Sequence, residues 1–210
     1  KIEILHGDLT EKAFAIKAVK GMDFVFHLAA YTGGLGRTTV YPASTLTPNL
    51  ILDGNIIEAA KNENVDRLLY ASCSCVYPDL EKDFSENDAW IANPPEIHAS
   101  YSWSKRIGEL QAISFSKEYG MKIAIVRPAN SYGPRETQPY IIPEIISQML
   151  KNNKKISLGN VNSKRDLTYV SDTAKAIILS LTAEGIVGET INVGSQRSVS
   201  IKELVNMISE

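Results

Sequence analysis

At 210 residues, with 44% hydrophobic and 22% charged side chains, the chain is long and apolar enough to bury one substantial core and is not of the disordered class. A net charge of −2, with lysines scattered rather than striped, argues against nucleic acid as a partner. No run approaches the ~18 consecutive apolar residues of a membrane helix, so no membrane partner is expected. The opening KIEILHGDLTEK lacks the apolar centre of a signal peptide, and only two cysteines occur, which points to the reducing cytoplasm.

Taken in chain order, short β-rich runs alternate with helical ones. KIEIL (1–5) reads as a strand that opens the chain directly, and a helical TEKAFAIKAVK (10–20) follows. DFVFHLAA (23–30) reads as the next strand and leads into a glycine turn, TGGLG (32–36). A helix over 47–63, a strand at RLLYAS (67–72), a long helix over 99–119 and a strand at KIAIVRPA (122–129) follow. Apolar strands alternating with helices argue for βαβ units and a doubly wound, parallel α/β sheet covered on both faces. Beyond Pro128 the rhythm loosens. Helices at 140–153 and 171–184 alternate with short strands at KISLG (155–159), LTYV (167–170) and TINVG (190–194), which predicts a small mixed C-terminal region. The expected division is 1–134 for the main part and 135–210 for a C-terminal part interleaved with it. The chain stops inside an amphipathic run, SIKELVNMISE (200–210), so both ends read as cut.

In open parallel sheets, ligands sit beyond the carboxyl ends of the strands. The residues after each strand therefore form a list of site candidates: Gly7 and Asp8, Ala29 and Ala30 with the glycine turn, Ser72 to Cys75, and Pro128 to Asn130. Tyr101 and Lys105 in YSWSK stand four residues apart on one helical face. There an ammonium stabilises a phenolate and brings a tyrosine toward working pH, as acid–base chemistry at an alcohol requires. Cys73 and Cys75 lie one residue apart at the end of the strand at 67–72. Two side chains so placed on an extended strand rarely meet bridge geometry, so free thiols are expected rather than a disulfide. His6, His27 and His98 stand at no metal-ligand spacing from the thiols, and no metal is expected. Burial as a small hydrophobe is the plain alternative for each cysteine. His6 and His27 read as hydrogen-bonded structural histidines, and Trp90 and Trp103 as packing residues.

The ordered set GDL (7–9), HLAA (27–30), ASCSCVYP (71–78), YSWSK (101–105), RPANSYGP (127–134) and RDLTYVSD (165–172) resembles the extended short-chain dehydrogenase/reductase family, over nearly the whole chain. Within it, the glycine turn, the CVYP ending and SENDAW (85–90) are most similar to GDP-mannose 3,5-epimerase and GDP-fucose synthase. The resemblance implies a Rossmann-type fold, NAD or NADP as cofactor, a nucleotide-diphosphate sugar as substrate and a homodimer. It implies that Asp8 and Leu9 flank the adenine, that Leu28, Ala29 and Ala30 line the nicotinamide side, that Ser72 contributes to the cofactor site and that Pro128 lies near the carboxamide. Tyr101 and Lys105 become the catalytic pair. Gly34 falls in the substrate-side loop with Tyr140 also on the substrate side, and Asn130 and Arg165 match positions that bind the diphosphate region. A guanidinium suits that task because it meets phosphate oxygens in bidentate geometry. Cys75 falls where those two enzymes carry a cysteine acid/base beside a transient ketone.

Three departures stand beside the resemblance. Cys73 replaces the family's Ser or Thr donor, and a thiol is a poorer donor than a hydroxyl. Tyr140 stands near the place where the fucose synthase has a histidine. No G-x-G-x-x-G occurs in the sequence, so a piece of a longer protein is expected. The leading expectation is a nucleotide-sugar epimerase acting through a transient 4-keto sugar, with Cys75 moving protons at carbons 3 and 5. The alternatives are a UDP-sugar type 4-epimerase or 4-keto-sugar reductase, and, from another class, a catalytically degraded cofactor-binding module.

Overall fold

The computed structural model describes residues 2–137, 140–151 and 155–210. In chain order its elements are α1 (Lys12–Val19), β1 (Phe24–His27), α2 (Gly34–Val40), α3 (Pro42–Asn62), β2 (Arg67–Ala71), α4 (Ala99–Tyr119), β3 (Lys122–Pro128), β4 (Asn130–Tyr132), α5 (Ile141–Lys151), β5 (Lys164–Tyr169), α6 (Val170–Thr182), β6 (Thr190–Val193), β7 (Ser198–Ser200) and α7 (Ile201–Ser209). Contacts group them into two units: Lys1–Arg127 with Ile177–Asn192, and Pro128–Ala176 with Val193–Glu210.

In the first unit, one sheet runs in the order β1-β2-β3-β6, with β1–β2 and β2–β3 parallel. Side chains alternate across a sheet. Leu68, Tyr70, Ile123 and Ile125 point to one face, where they pack with Ala15 and Val19 of α1, Ile56, Ile57, Ala59 and Ala60 of α3, and Ala112 of α4. Leu69, Ala124 and Val126 of the opposite face are fully buried as well. Burial on both faces explains why β2 and β3 are near-continuous apolar runs rather than alternating ones. Pro42 starts α3 at a position where its missing N–H costs nothing, and Gly120 ends α4 in the left-handed conformation at φ +69°.

The second unit is built on a mixed sheet, β4-β5-β7, in which β4 and β5 are parallel and β5 and β7 antiparallel. Ile145 of α5 and Ile201 and Leu204 of α7 form its buried centre. Ser200 caps α7 in a reciprocal box with Glu203: its hydroxyl accepts from the Glu203 N–H at 3.1 Å, and its own N–H donates to the Glu203 carboxylate at 2.7 Å.

Three local expectations are corrected. Of KIEIL, Lys1 lies outside the described residues and residues 2–5 form no strand: none of the described strands pairs with them, and Ile2, Ile4 and Leu5 are exposed. KISLG is not a strand either, because the Gln148 side chain answers the backbone of Ser157 in place of a ladder, accepting from its N–H at 2.6 Å and donating to its carbonyl at 2.9 Å. TGGLG is more than a turn, since Gly34, at φ +70°, opens the short helix α2.

Candidate active site

Helix α4 organises the first unit's polar centre. Its pattern places Tyr101 and Lys105 one turn apart, and the Lys105 ammonium lies 6.0 Å from the Tyr101 ring centroid and 4.9 Å from that of Tyr70. Lys105 is only 2% exposed and donates to the carbonyl of Ala71, the last residue of β2, at 2.8 Å. Burial lowers its pKa from the ordinary lysine value, and the carboxylates of Asp53 and Glu109 oppose that shift. The next residue, Arg106, donates through Nε and Nη2 to the carbonyl of Val76, at 2.8 and 2.6 Å. Its guanidinium also stands over the rings of Trp90 and Trp103, at 5.7 and 5.3 Å. Two consecutive cations of α4 thus hold the two ends of the segment 71–76.

That segment carries both cysteines, and here the expectation of free thiols is overturned: Cys73 and Cys75 are joined as a disulfide. The extended geometry behind that expectation ends at Cys73, which has φ −158° and ψ 164°. Residues Ser74–Val76 turn as a single 3-10 turn, closed by Val76 N–H to Cys73 carbonyl at 3.4 Å. The turn brings the two Cα atoms to 5.3 Å, inside the range that a bridge needs. Beside them, the Ser72 hydroxyl is buried and has no hydrogen-bond partner among the described residues. A buried orphan donor of this kind fits a polar group of a bound molecule.

Behind Lys105 lies a closed polar network. Asp53 of α3 is fully buried and accepts from His27 Nε2 at 2.7 Å and from the Tyr70 hydroxyl at 2.8 Å. A carboxylate only accepts, so the hydrogen of His27 sits on Nε2. Burial and the Asp53 charge hold the Tyr70 phenol well above its ordinary pKa. One turn beyond Lys105, Glu109 takes a bidentate pair from Arg127 at 2.8 and 2.7 Å, and Arg127 Nη1 donates to the Tyr77 hydroxyl at 2.9 Å. The sequence reading placed His27 as a bonded structural histidine but missed Asp53, Glu109 and Arg127. Their signal was an acidic residue inside an otherwise apolar run, LILDGNII, and a glutamate four residues after Lys105 on one helical face.

The loop after β1 is fixed by Asn49, a fourth residue the sequence reading missed: its side chain accepts from the Tyr31 N–H at 2.8 Å and donates to the Tyr31 carbonyl at 3.0 Å. Leu28 is exposed there, and Ala29, Ala30 and Gly34 are half-buried. Asp8 is exposed, and Thr10, through its N–H at 2.9 Å and its hydroxyl at 2.8 Å, lowers the pKa of its carboxyl; Leu9 packs at the edge of the core. The first unit therefore holds Asp8, Leu9, Leu28 to Ala30, Gly34, Ser72, Cys73, Cys75, Tyr101 and Lys105. Pro128, Asn130, Tyr140 and Arg165 belong to the second unit. There Pro128 closes β3, Asn130 begins β4 opposite Leu167, Tyr140 is exposed before α5, and the Arg165 guanidinium donates to Ser163 Oγ at 2.8 Å and to the Lys164 carbonyl at 2.7 Å. No cluster of metal-ligating side chains occurs among the described residues.

A parallel α/β sheet with candidate groups after its strands, and a tyrosine and buried lysine one helical turn apart, make a Rossmann-like arrangement. The family model of the NAD dependent epimerase/dehydratase family matches residues 1–194, and the chain belongs to that family. It is 28% identical over 214 residues to the GDP-mannose 3,5-epimerase of Arabidopsis thaliana, covering 96% of this chain and 55% of the relative. It is also 28% identical to the GDP-L-fucose synthase of Escherichia coli, covering 92% and 66%. Among solved structures, the UDP-N-acetylglucosamine 4-epimerase of Methanobrevibacter ruminantium superposes with a TM-score of 0.86 at 31% identity, covering 98% of this chain and 65% of that one. The chain spans less than two thirds of the length of each of these relatives.

Proposed function

We propose that the protein is a nucleotide-sugar epimerase that acts through a transient 4-keto sugar, with the dithiol form of Cys75 moving protons at carbons 3 and 5. One observation carries the reading above the others: the helix that bears Tyr101 also holds, through Lys105 and Arg106, both ends of the segment that bears the thiols. Acid–base groups for neighbouring carbons of one sugar ring need such a common support. In this reading Tyr101 takes and returns the proton of the 4-hydroxyl, and the Lys105 ammonium favours its phenolate. A ketone at carbon 4 acidifies the protons on carbons 3 and 5, and a thiol near a cation is a fitting group to exchange one.

The nicotinamide dinucleotide, when bound, supplies reversible hydride acceptance at carbon 4. Two features of this chain fit it. The buried Ser72 hydroxyl awaits a partner, and Lys105 offers N–H donors beyond the one given to Ala71. In the first unit Asp8, Leu9 and Leu28 to Ala30 are the proposed cofactor residues and Gly34 a proposed sugar residue; in the second unit Pro128 is proposed for the cofactor and Asn130, Tyr140 and Arg165 for the nucleotide-diphosphate sugar. Exposed Ile51 on α3 and Leu110 and Ile113 on α4 support a homodimer.

A second reading is a 4-epimerase, which needs Tyr101, Lys105 and a hydroxyl donor and leaves Cys75 idle. The disulfide favours it, because a bridged Cys75 has no proton to move, and the Methanobrevibacter relative is a 4-epimerase. Turnover of a panel of nucleotide sugars in heavy water separates the two. Deuterium gained on carbon, and lost with Cys75→Ala, supports the first reading; inverted carbon 4 without deuterium supports the second.

A further inference from the structure

The 210 residues contain two cysteines, and both lie on the one segment that α4 grips at each end. A bridge between residues two apart closes so small a loop that it removes little freedom from the unfolded chain. Stapling the fold is therefore a poor account of it. Cys73 and Cys75 are half-buried, not sealed, so a small reagent reaches them. Lys105 and Arg106 hold the two ends of the same short segment, and exchange proceeds through the thiolate of whichever cysteine attacks. The carbonyls of Ala71 and Val76 are held by side chains of α4 and not by the sulfurs, and the turn sets the two cysteine Cα atoms 5.3 Å apart, within reach of exchange.

We propose that Cys73-Ser74-Cys75 is a reversible thiol–disulfide exchange site whose reactant is a soluble disulfide of the glutathione type, and whose closure silences the sugar chemistry. One thiolate of the pair attacks a sulfur of the soluble disulfide, forming a mixed disulfide and expelling one small thiol. The other thiolate attacks the protein-bound sulfur of that mixed bond, forms the Cys73–Cys75 bond and expels the second small thiol. The protein loses two hydrogens and two electrons, and the soluble disulfide gains them as two thiols. A dithiol reductant reopens the Cys73–Cys75 bond by two exchanges of the same kind and is itself oxidised to a cyclic disulfide. Closure takes the proton of Cys75 and the S–H of Cys73 together, so this consequence rests on the function proposed above, whereas the exchange itself does not.

The test uses the complete gene product, treated with dithiothreitol or with glutathione disulfide, then alkylated and weighed intact, with sugar turnover measured in parallel. The expected result is a reduced form that takes two alkyl groups and an oxidised form that takes none, carries no glutathione and is lighter by two hydrogens. Turnover falls by ~10²-fold on oxidation, the scale of a lost acid–base group, and returns with dithiothreitol. Cys73→Ser, whatever its own rate, forms no internal bond and instead retains glutathione on Cys75. Accumulation of glutathione adducts on the native protein, or thiols that still alkylate after oxidation, overturns the exchange site. An internal bond that leaves turnover unchanged overturns the silencing. A reduced form that turns over no sugar overturns the proposed function instead, and the exchange site then stands or falls on the masses.

Discussion

The imidazole Nε2 of His27 donates to Oδ1 of Asp53 across 2.7 Å, and both side chains are closed to solvent. The second carboxylate oxygen of Asp53 accepts from the Tyr70 hydroxyl, so one buried acid joins β1, α3 and β2. Asp53→Ala strips two buried donors of their acceptor and leaves a void. It is expected to cost about 3 kcal/mol of stability. Asp53→Asn costs less than half as much, because its amide accepts from His27 and donates to the Tyr70 oxygen. Urea midpoints at unchanged slope measure both.

Gly108 lies against this network. A Cβ there meets the Tyr70 hydroxyl and ring and comes within 2.9 Å of Asp53 Oδ2. Neither neighbour is a flexible chain end, since each is hydrogen-bonded to the other. Gly108→Ala gains helix propensity but is expected to lose about 2 kcal/mol net through the forced shift. The same urea series shows it, and a midpoint equal to or above the native one refutes the tight packing.

Glu109 and Arg127 form a buried bidentate pair with side chains 0% and 1% exposed. Glu109→Leu leaves an uncompensated guanidinium and is expected to cost about 4 kcal/mol, with a similar loss for Arg127→Met. The double variant is expected to be more stable than either single one, because no buried charge is left alone. A double-mutant cycle reads this coupling directly.

The alternation of apolar strands and helices was legible because burial on both faces writes itself into the sequence, as at LLYA and IAIV. KIEIL and KISLG carry the same composition and form no strand, since a strand also needs a neighbour, and none of the described strands supplies one. Strands β4 and β7, three residues each, are too short to show a period. The Tyr101–Lys105 pair was legible from local spacing on one helix. Asp53 and Arg127 were not, because their partners lie 26 and 18 residues away and only the packed fold brings them together. The cysteine bridge was misread for a related reason: the strand gives way to a turn at Ser74–Val76, and the carbonyls of Ala71 and Val76 that bound the segment are held by Lys105 and Arg106, 34 and 30 residues further along the chain.

Asp88 supplies a pH prediction. It closes a capping box with Ser85 and accepts from Lys82 at 2.7 Å, which lowers its pKa from 3.8 to about 2. A folded-state pKa below the unfolded one gives stability that is present above pH ~4 and is lost as pH falls through about 2. Asp88→Asn is expected to flatten the melting-temperature profile in that window and to leave its shape near pH 7 unchanged. Parallel thermal melts of native and variant protein from pH 6 to 2 check it.

Tyr101→Phe separates an enzyme from a module that only binds cofactor. The substitution removes one oxygen from the face of α4 and leaves in place Lys105, its hold on Ala71 and the cysteine turn, so the fold is expected to be unchanged. Under the proposed mechanism the proton of the 4-hydroxyl then has no acceptor, and kcat is expected to fall by ~10²–10⁴-fold while KM for the sugar changes little. A binding module, by contrast, has no turnover to lose, and its cofactor affinity is insensitive to that oxygen. Steady-state kinetics with the preferred nucleotide sugar, alongside titration of NAD and NADP, decide between them. A variant that keeps native turnover removes Tyr101 from the mechanism.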